Sequence, residues 1–200
     1  DNADLDQFKK QNPLFALLSP NQNRGTACIG YAVGADTAAV NRMLKDKRVA
    51  DIFPAEFRPL WSVKPVDGGN VYELVAIKVT SRDGKAPLDG DAVEDARVSY
   101  DNTRRNGEPG VSMTMNASGA NTWAKLTKEN IGKQIAIVLD DAVYSYPVVQ
   151  NEITGGNSSI TGNFTVEEAN DLTNVLKSGK LPAPASIVQE QVVGPSLGAE

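Results

Sequence analysis

Apolar residues in this 200-residue chain come in short runs of strand length, and Gly, Pro, Asn and Asp punctuate the gaps. Cys28–Val33, Phe57–Val63, Val71–Val79, Ala96–Tyr100, Val111–Met115, Ile135–Leu139 and Val143–Val149 each read as a strand. Val111, Met113 and Met115 alternate with Ser112, Thr114 and Asn116, the period-two pattern of a half-buried strand. In Val71–Val79, the residues Val75, Ile77 and Val79 share one face. Ile135–Leu139 is continuously apolar, which predicts a strand covered on both faces. Asp67-Gly68-Gly69-Asn70 supplies the permissive backbone for a hairpin between two of the runs, and Asp140-Asp141 turns another pair back on itself.

Helical periodicity is sparser. Asp36 is placed to cap a helix whose buried side carries Val40, Met43 and Leu44. Ser118 is placed to cap a second, with Ala120, Trp123, Ala124 and Leu126 facing the core. Thr165-Val166-Glu167-Glu168 is a capping box opening a third, with Val166, Ala169, Leu172, Val175 and Leu176 as the buried stripe and Gly179 as its stop. Pro13–Leu18 is an apolar patch within a polar stretch and is expected to dock on the core. Strands outnumber helices and do not alternate strictly with them. This predicts an α+β fold, with helices packed on mixed or antiparallel sheets.

Composition narrows the function. The formal net charge is −5, so a nucleic-acid partner held through phosphates is not expected. The chain contains no His, which removes Ser-His-Asp and Cys-His catalysis and His-ligated metals. Cys28 is the single cysteine and reads as a small buried hydrophobe in Ala27-Cys28-Ile29. Asp89, Asp91, Glu94 and Asp95 crowd together without calcium-loop spacing, and Gly155, Gly156 and Gly162 do not have dinucleotide-loop spacing. No catalytic residues, metal ligands or cofactor-binding residues are assigned, and no enzyme activity is expected. No apolar run approaches the ~20 residues of a membrane helix. The start at Asp1, without an initiator Met, is expected of a piece of a longer protein.

The segments from Leu88 onward carry a family resemblance. Leu88-Asp89-Gly90-Asp91-Ala92-Val93-Glu94-Asp95-Ala96 is followed by Thr127–Lys133, Ile135–Asp140, and Val143, Ser145 and Pro147. Ile160–Thr165, Glu167-Glu168-Ala169, Leu176, Gly179, Leu181-Pro182-Ala183-Pro184 and Val193–Gly198 then fall in order. This succession resembles the SecD/SecF protein-export membrane protein family, in the first domain of SecD outside the membrane. Asp141 departs from the pattern, standing where the family usually has Gly, with consequences for turn type. Residues 1–70 carry no family motif, and are similar to an insertion found in some fused SecDF proteins.

The resemblance implies a periplasmic domain of an inner-membrane protein. It would work with SecF and the Sec translocon, contact unfolded translocating polypeptide, and change conformation in a cycle driven by the proton-motive force. It implies two lobes, an outer head and an inner base. Residues 1–87 form an N-terminal insertion and base-proximal lobe. Residues 88–183 form the head-like lobe, and 184–200 a return strand, Ile187–Val193, leading to a membrane span. Hinges are expected at Gly84 and Pro87 and at Leu181, Pro182 and Pro184. Tyr144 and Tyr146 are the candidate polypeptide contacts, with core packing as the competing role. The alternative function is a stand-alone periplasmic module for adhesion or binding to a folded partner or glycan.

Overall fold

A computed structural model of the chain describes residues 7–178, except 9, 24, 101–106, 162–163 and the side chain of residue 67. The expected helix stop at Gly179, the hinge at Leu181, Pro182 and Pro184, and the return strand over Ile187–Val193 lie outside the described residues.

Among the described residues, the chain folds as α+β around two sheets. The first has six strands: β1 (Ser19–Pro20), β2 (Cys28–Val33), β3 (Phe57–Ser62), β4 (Val71–Lys78), β7 (Ile137–Leu139) and β8 (Ala142–Ser145). Their order is β1-β2-β4-β3-β8-β7. Every pairing is antiparallel except that of β3 with β8, which is parallel and joins Trp61 to Ala142 and Ser62 to Val143. The second sheet has three strands, β5 (Val93–Tyr100), β6 (Pro109–Met115) and β9 (Asn157–Ile160), antiparallel in the order β5-β6-β9. Helices α1 (Pro13–Leu17), α2 (Thr37–Lys45) and α3 (Lys47–Ala50) belong to the first sheet's side of the chain, and α4 (Ala117–Glu129) and α5 (Val166–Ser178) to the second.

Each sheet has its own core. Leu18, Ala32, Val40, Leu44 and Leu74 form one, with Leu14, Leu17, Phe53 and Trp61 packed against it. The apolar patch at Pro13–Leu18 is docked through Leu14, Leu17 and Leu18, whereas Pro13, Phe15 and Ala16 are exposed. Trp61 satisfies its indole by donating to Asn41 Oδ1 at 2.9 Å, which ties β3 to α2. The second core contains Val93, Ala96, Val111, Met113, Met115, Ile160, Ala169 and Leu172, with Trp123 packed against it. The alternation at Val111, Met113 and Met115 points all three inward.

Several local expectations give way. Asp36 sits at the N-cap of α2 but makes no side-chain cap, because a 3-10 turn over Gly34–Asp36 runs directly into the helix. Asn116, not Ser118, caps α4, accepting from the Gly119 amide at 2.8 Å, and Ser118 falls inside the first turn. Ile135–Leu139 is not covered on both faces: β7 holds only Ile137–Leu139 at the sheet edge, and Val138 is exposed. The doubly covered position is the centre of β4, where adjacent Leu74 and Val75 are both fully buried. Val166 is exposed at the start of α5, and buried Thr173 completes the stripe by donating to the Ala169 carbonyl at 2.8 Å. The Thr165 capping box is present in full: Thr165 Oγ1 accepts from the Glu168 amide at 3.1 Å, and Glu168 Oε2 accepts from the Thr165 amide at 2.9 Å.

Candidate functional site

The β7–β8 hairpin brings the two sheets together. Asp140 and Asp141 both adopt left-handed backbone, φ 49° and 59°, the pairing a two-residue type I′ turn requires. The Asp141 carboxylate accepts from Arg58 on β3, so the residue that departs from the expected Gly is also tied to the first sheet. The backbone of β8 pairs with β3, while Ile137 and Tyr144 pack against the core of the second sheet. The hairpin thus belongs to the first sheet by hydrogen bonding and to the second by side-chain burial. Residues 88–183 consequently contribute strands to both sheets, and the sheet boundary does not coincide with position 88.

Beside this hairpin lies an open cleft of about 230 Å³. Its walls are Ser62 at the end of β3, Lys64 after it, Glu73 on β4, Tyr144 and Tyr146 on and after β8, and the start of α5. Ser62 Oγ fixes the turn out of β3 by donating to the Lys64 carbonyl at 2.8 Å and accepting from the Glu73 amide at 3.0 Å. That places Lys64 Nζ 3.3 Å from Asp171 Oδ2 and 3.9 Å from Glu168 Oε1, both on α5. One cation of the first sheet therefore faces two carboxylates of the second unit, all three partly exposed. Tyr146 donates to Glu73 Oε2 at 2.8 Å, and burial together with this bond pushes its hydroxyl well above the ordinary tyrosine value.

Both tyrosines singled out by sequence line this cleft. Tyr144 is half-buried against the second core, and the hydroxyl of Tyr146 is held by Glu73. Gly84 and Pro87 lie in the exposed connection between β4 and β5. Gly84 has φ 74°, and Ser81 Oγ donates to the Lys85 carbonyl at 2.6 Å, so the connection carries its own turn. Leu88, immediately after it, packs on the second core. Lys64, Glu73 and Asp171 escaped sequence reasoning because they come from three distant elements and carry no local motif. Among the described residues no group of three or more Cys, Asp or Glu side chains is placed to hold a metal ion, and no helix is long and apolar enough to cross a membrane.

Residues 73–183 match the family model of the SecDF P1 head subdomain. This chain belongs to the SecD family. The match begins within β4, takes in the β7–β8 hairpin and covers the wall of the cleft from Glu73 onward. The protein translocase subunit SecD of Rhodothermus marinus is 45% identical over 194 residues, covering 95% of this chain and 30% of that protein. SecD of Leptotrichia buccalis is 39% identical over 202 residues, covering 88% of this chain and 48% of that protein. The chain therefore spans from under a third to about half of these relatives' lengths. A solved structure of SecDF, described as a membrane component that enhances protein export, is 30% identical. It covers 92% of this chain and 72% of that one at a TM-score of 0.42. SecDF in its super-membrane-facing form is 24% identical, covering 84% of this chain and 28% of that one, also at a TM-score of 0.42.

Proposed function

We propose that this chain is the part of a SecD subunit that stands on the periplasmic side of the bacterial inner membrane and holds unfolded polypeptide transiently during export. It changes no bond in that polypeptide. The observation that carries this reading is the P1 head match over residues 73–183, which spans the second sheet and the wall of the cleft from Glu73 onward. The relatives' identity as protein translocase subunits supports SecF and the Sec translocon as partners of a membrane-embedded parent protein.

The geometry suits a part that moves. β8 is held to β3 by two residue pairs, with one further bond from the Val63 amide to the Val143 carbonyl at 2.9 Å. Lys64 and its two carboxylates are solvated, so their attraction is small and reversible. Opening the cleft breaks these few pairs together with the Arg58–Asp141 and Tyr146–Glu73 contacts, and lets α5 and the second sheet swing about the Gly84–Pro87 connection. Proton flow through the membrane portion of the parent protein would drive the swing.

The test is a Lys64→Cys/Asp171→Cys pair in the full-length parent protein, bridged across the cleft with a short bis-maleimide. Transport of a secretory precursor into energised membrane vesicles is expected to drop on bridging to the level of vesicles lacking the protein. The unbridged pair serves as the control for loss of the ion pair. Transport that continues at the unbridged rate would overturn the moving-domain reading.

A further inference from the structure

The two sheets leave four strand edges among the described residues, and three of them carry features that oppose the addition of another strand. β1 is two residues long and ends in Pro20. β7 is three residues long, has a register shift between Ile137 and Val138, and runs into Asp140 and Asp141. β5 is longer, but its register shifts between Val93 and Asp95, and Glu94, Asp95 and Arg97 put charge along it. β9 has none of these. Its register with β6 runs without a break from Thr114↔Asn157 to Val111↔Ile160, and Gly155–Thr161 contains neither a charge nor a proline.

The pairing also fixes which backbone groups β9 offers. The Met115 amide donates to the Gly156 carbonyl at 2.8 Å, so Met115 and Gly156 face each other as a hydrogen-bonded pair. Antiparallel pairs alternate between hydrogen-bonded and non-hydrogen-bonded. Thr114↔Asn157 and Ser112↔Ser159 are therefore the non-hydrogen-bonded pairs, and Thr114 Oγ1 lies 3.1 Å from Asn157 Oδ1, as the closer approach of such a pair allows. The N–H and C=O groups of Asn157 and Ser159 consequently turn away from β6, toward the outer edge. Ser158 and Ile160 point inward and are buried, while Asn157 and Ser159 are small, polar and exposed.

We infer that the outer edge of β9 binds an extended polypeptide segment by strand addition, through the outward backbone groups of Asn157 and Ser159. Two donors and two acceptors two residues apart match the backbone of any extended chain. The small Asn and Ser side chains and the adjacent glycines neither obstruct nor select among its side chains. Recognition would be weak and tolerant of sequence. This inference rests on the reading that the domain meets unfolded polypeptide, and it adds the surface and the mode.

The decisive variant is Ser159→Pro in the full-length parent protein. It deletes the outward N–H of Ser159 and leaves every β6–β9 hydrogen bond in place, as proline on an edge strand permits. Ser159→Ala keeps that N–H. A photoreactive residue at exposed Thr161 reports cross-linking to an unfolded secretory precursor arrested in transit by a folded C-terminal block. Matching probes at Arg97 and Tyr144 report the β5 edge and the cleft. The yield at Thr161 should fall at least fivefold with Ser159→Pro and stay within twofold with Ser159→Ala. A yield at Thr161 that ignores Ser159→Pro overturns strand addition. Cross-links at Tyr144 with none at Thr161 also overturn it, while leaving the polypeptide-holding reading intact; silence at all three positions sinks that reading itself. Should Ser159→Pro lower the amount of folded protein, amide hydrogen exchange of the unaltered parent decides. Exchange across 157–159 slows at least tenfold with the arrested precursor, and no slowing overturns the inference.

Discussion

Tyr146 and Glu73, 73 positions apart in sequence, meet in a 2.8 Å hydrogen bond that joins the end of the β7–β8 hairpin to the centre of the first sheet. Burial and the bond to Glu73 raise the Tyr146 hydroxyl above its ordinary 10.0. The unfolded chain therefore releases this proton first as pH rises, and the bond's contribution is fully present below about pH 10 and declines above it. Cys28, raised from 9.0 by burial, and Tyr31, raised from 10.0, act with the same sign. Tyr146→Phe should cost about 1.5 kcal/mol at neutral pH, the usual scale for a bond to a charged acceptor. In urea unfolding the gap between parent and variant should narrow at pH above about 10; a gap that stays constant means the hydroxyl is not held as described.

The capping box makes a second, separable prediction. Thr165→Ala removes the acceptor of the Glu168 amide and should cost about 1 kcal/mol. Glu168 closes the box from the other side and also lies 3.9 Å from Lys64. Thr165→Ala and Glu168→Ala should therefore be less than additive, with a coupling of about 0.5 kcal/mol or more. Strict additivity in a double-mutant cycle would show that the two bonds form independently.

Where sequence patterns succeeded and where they failed has a common physical origin. Thr165–Glu168, the alternating β6 residues and the Asp140-Asp141 turn are decided within a few residues, so local chemistry makes them legible. β9 was not legible, because Asn157-Ser158-Ser159-Ile160 has one apolar side chain and low strand propensity. It is a strand because β6 pairs with it. Asn116 and Ser118 are both competent caps, and the choice between them was made at a distance: Asn116 also donates to the Asp91 carbonyl at 3.0 Å. The continuous apolar run at Ile135–Leu139 suggested a central strand, whereas its burial is shared between a sheet edge and the neighbouring core. The cleft needs β3, β4, β8 and α5 at once, which no local pattern encodes.

Gly119 offers a test in which packing opposes propensity. It lies in the first turn of α4, buried against the 3-10 turn over Gly90–Ala92. A Cβ at this position would sit 2.7 Å from the Ala92 Cβ and 3.2 Å from its carbonyl oxygen. Ala is the better helix former by about 1 kcal/mol, yet the crowding costs more, since the opposing atoms are a Cβ and backbone, neither of which can rotate away. Gly119→Ala should be destabilising by about 1–2 kcal/mol in chemical denaturation. A stabilised variant would mean the turn over Gly90–Ala92 moves aside freely.

Cys28 provides a built-in reporter of how firmly the first sheet is closed. It is 4% exposed, lies at the start of β2 opposite Val75, and its Sγ approaches the Gly30 carbonyl at 3.5 Å. Burial holds the thiol above its ordinary value, so little thiolate forms at neutral pH even where solvent reaches it. Labelling by a thiol reagent then requires β2 to part from β4, not merely the two-residue β1 to fray. If that opening costs about 4 kcal/mol, labelling should be about a thousandfold slower than in denaturant. Leu74→Ala, which hollows the core behind the same sheet, should accelerate it by at least tenfold. Labelling of the parent chain within tenfold of the denatured rate would place the β1–β2 side among the first parts of the domain to open.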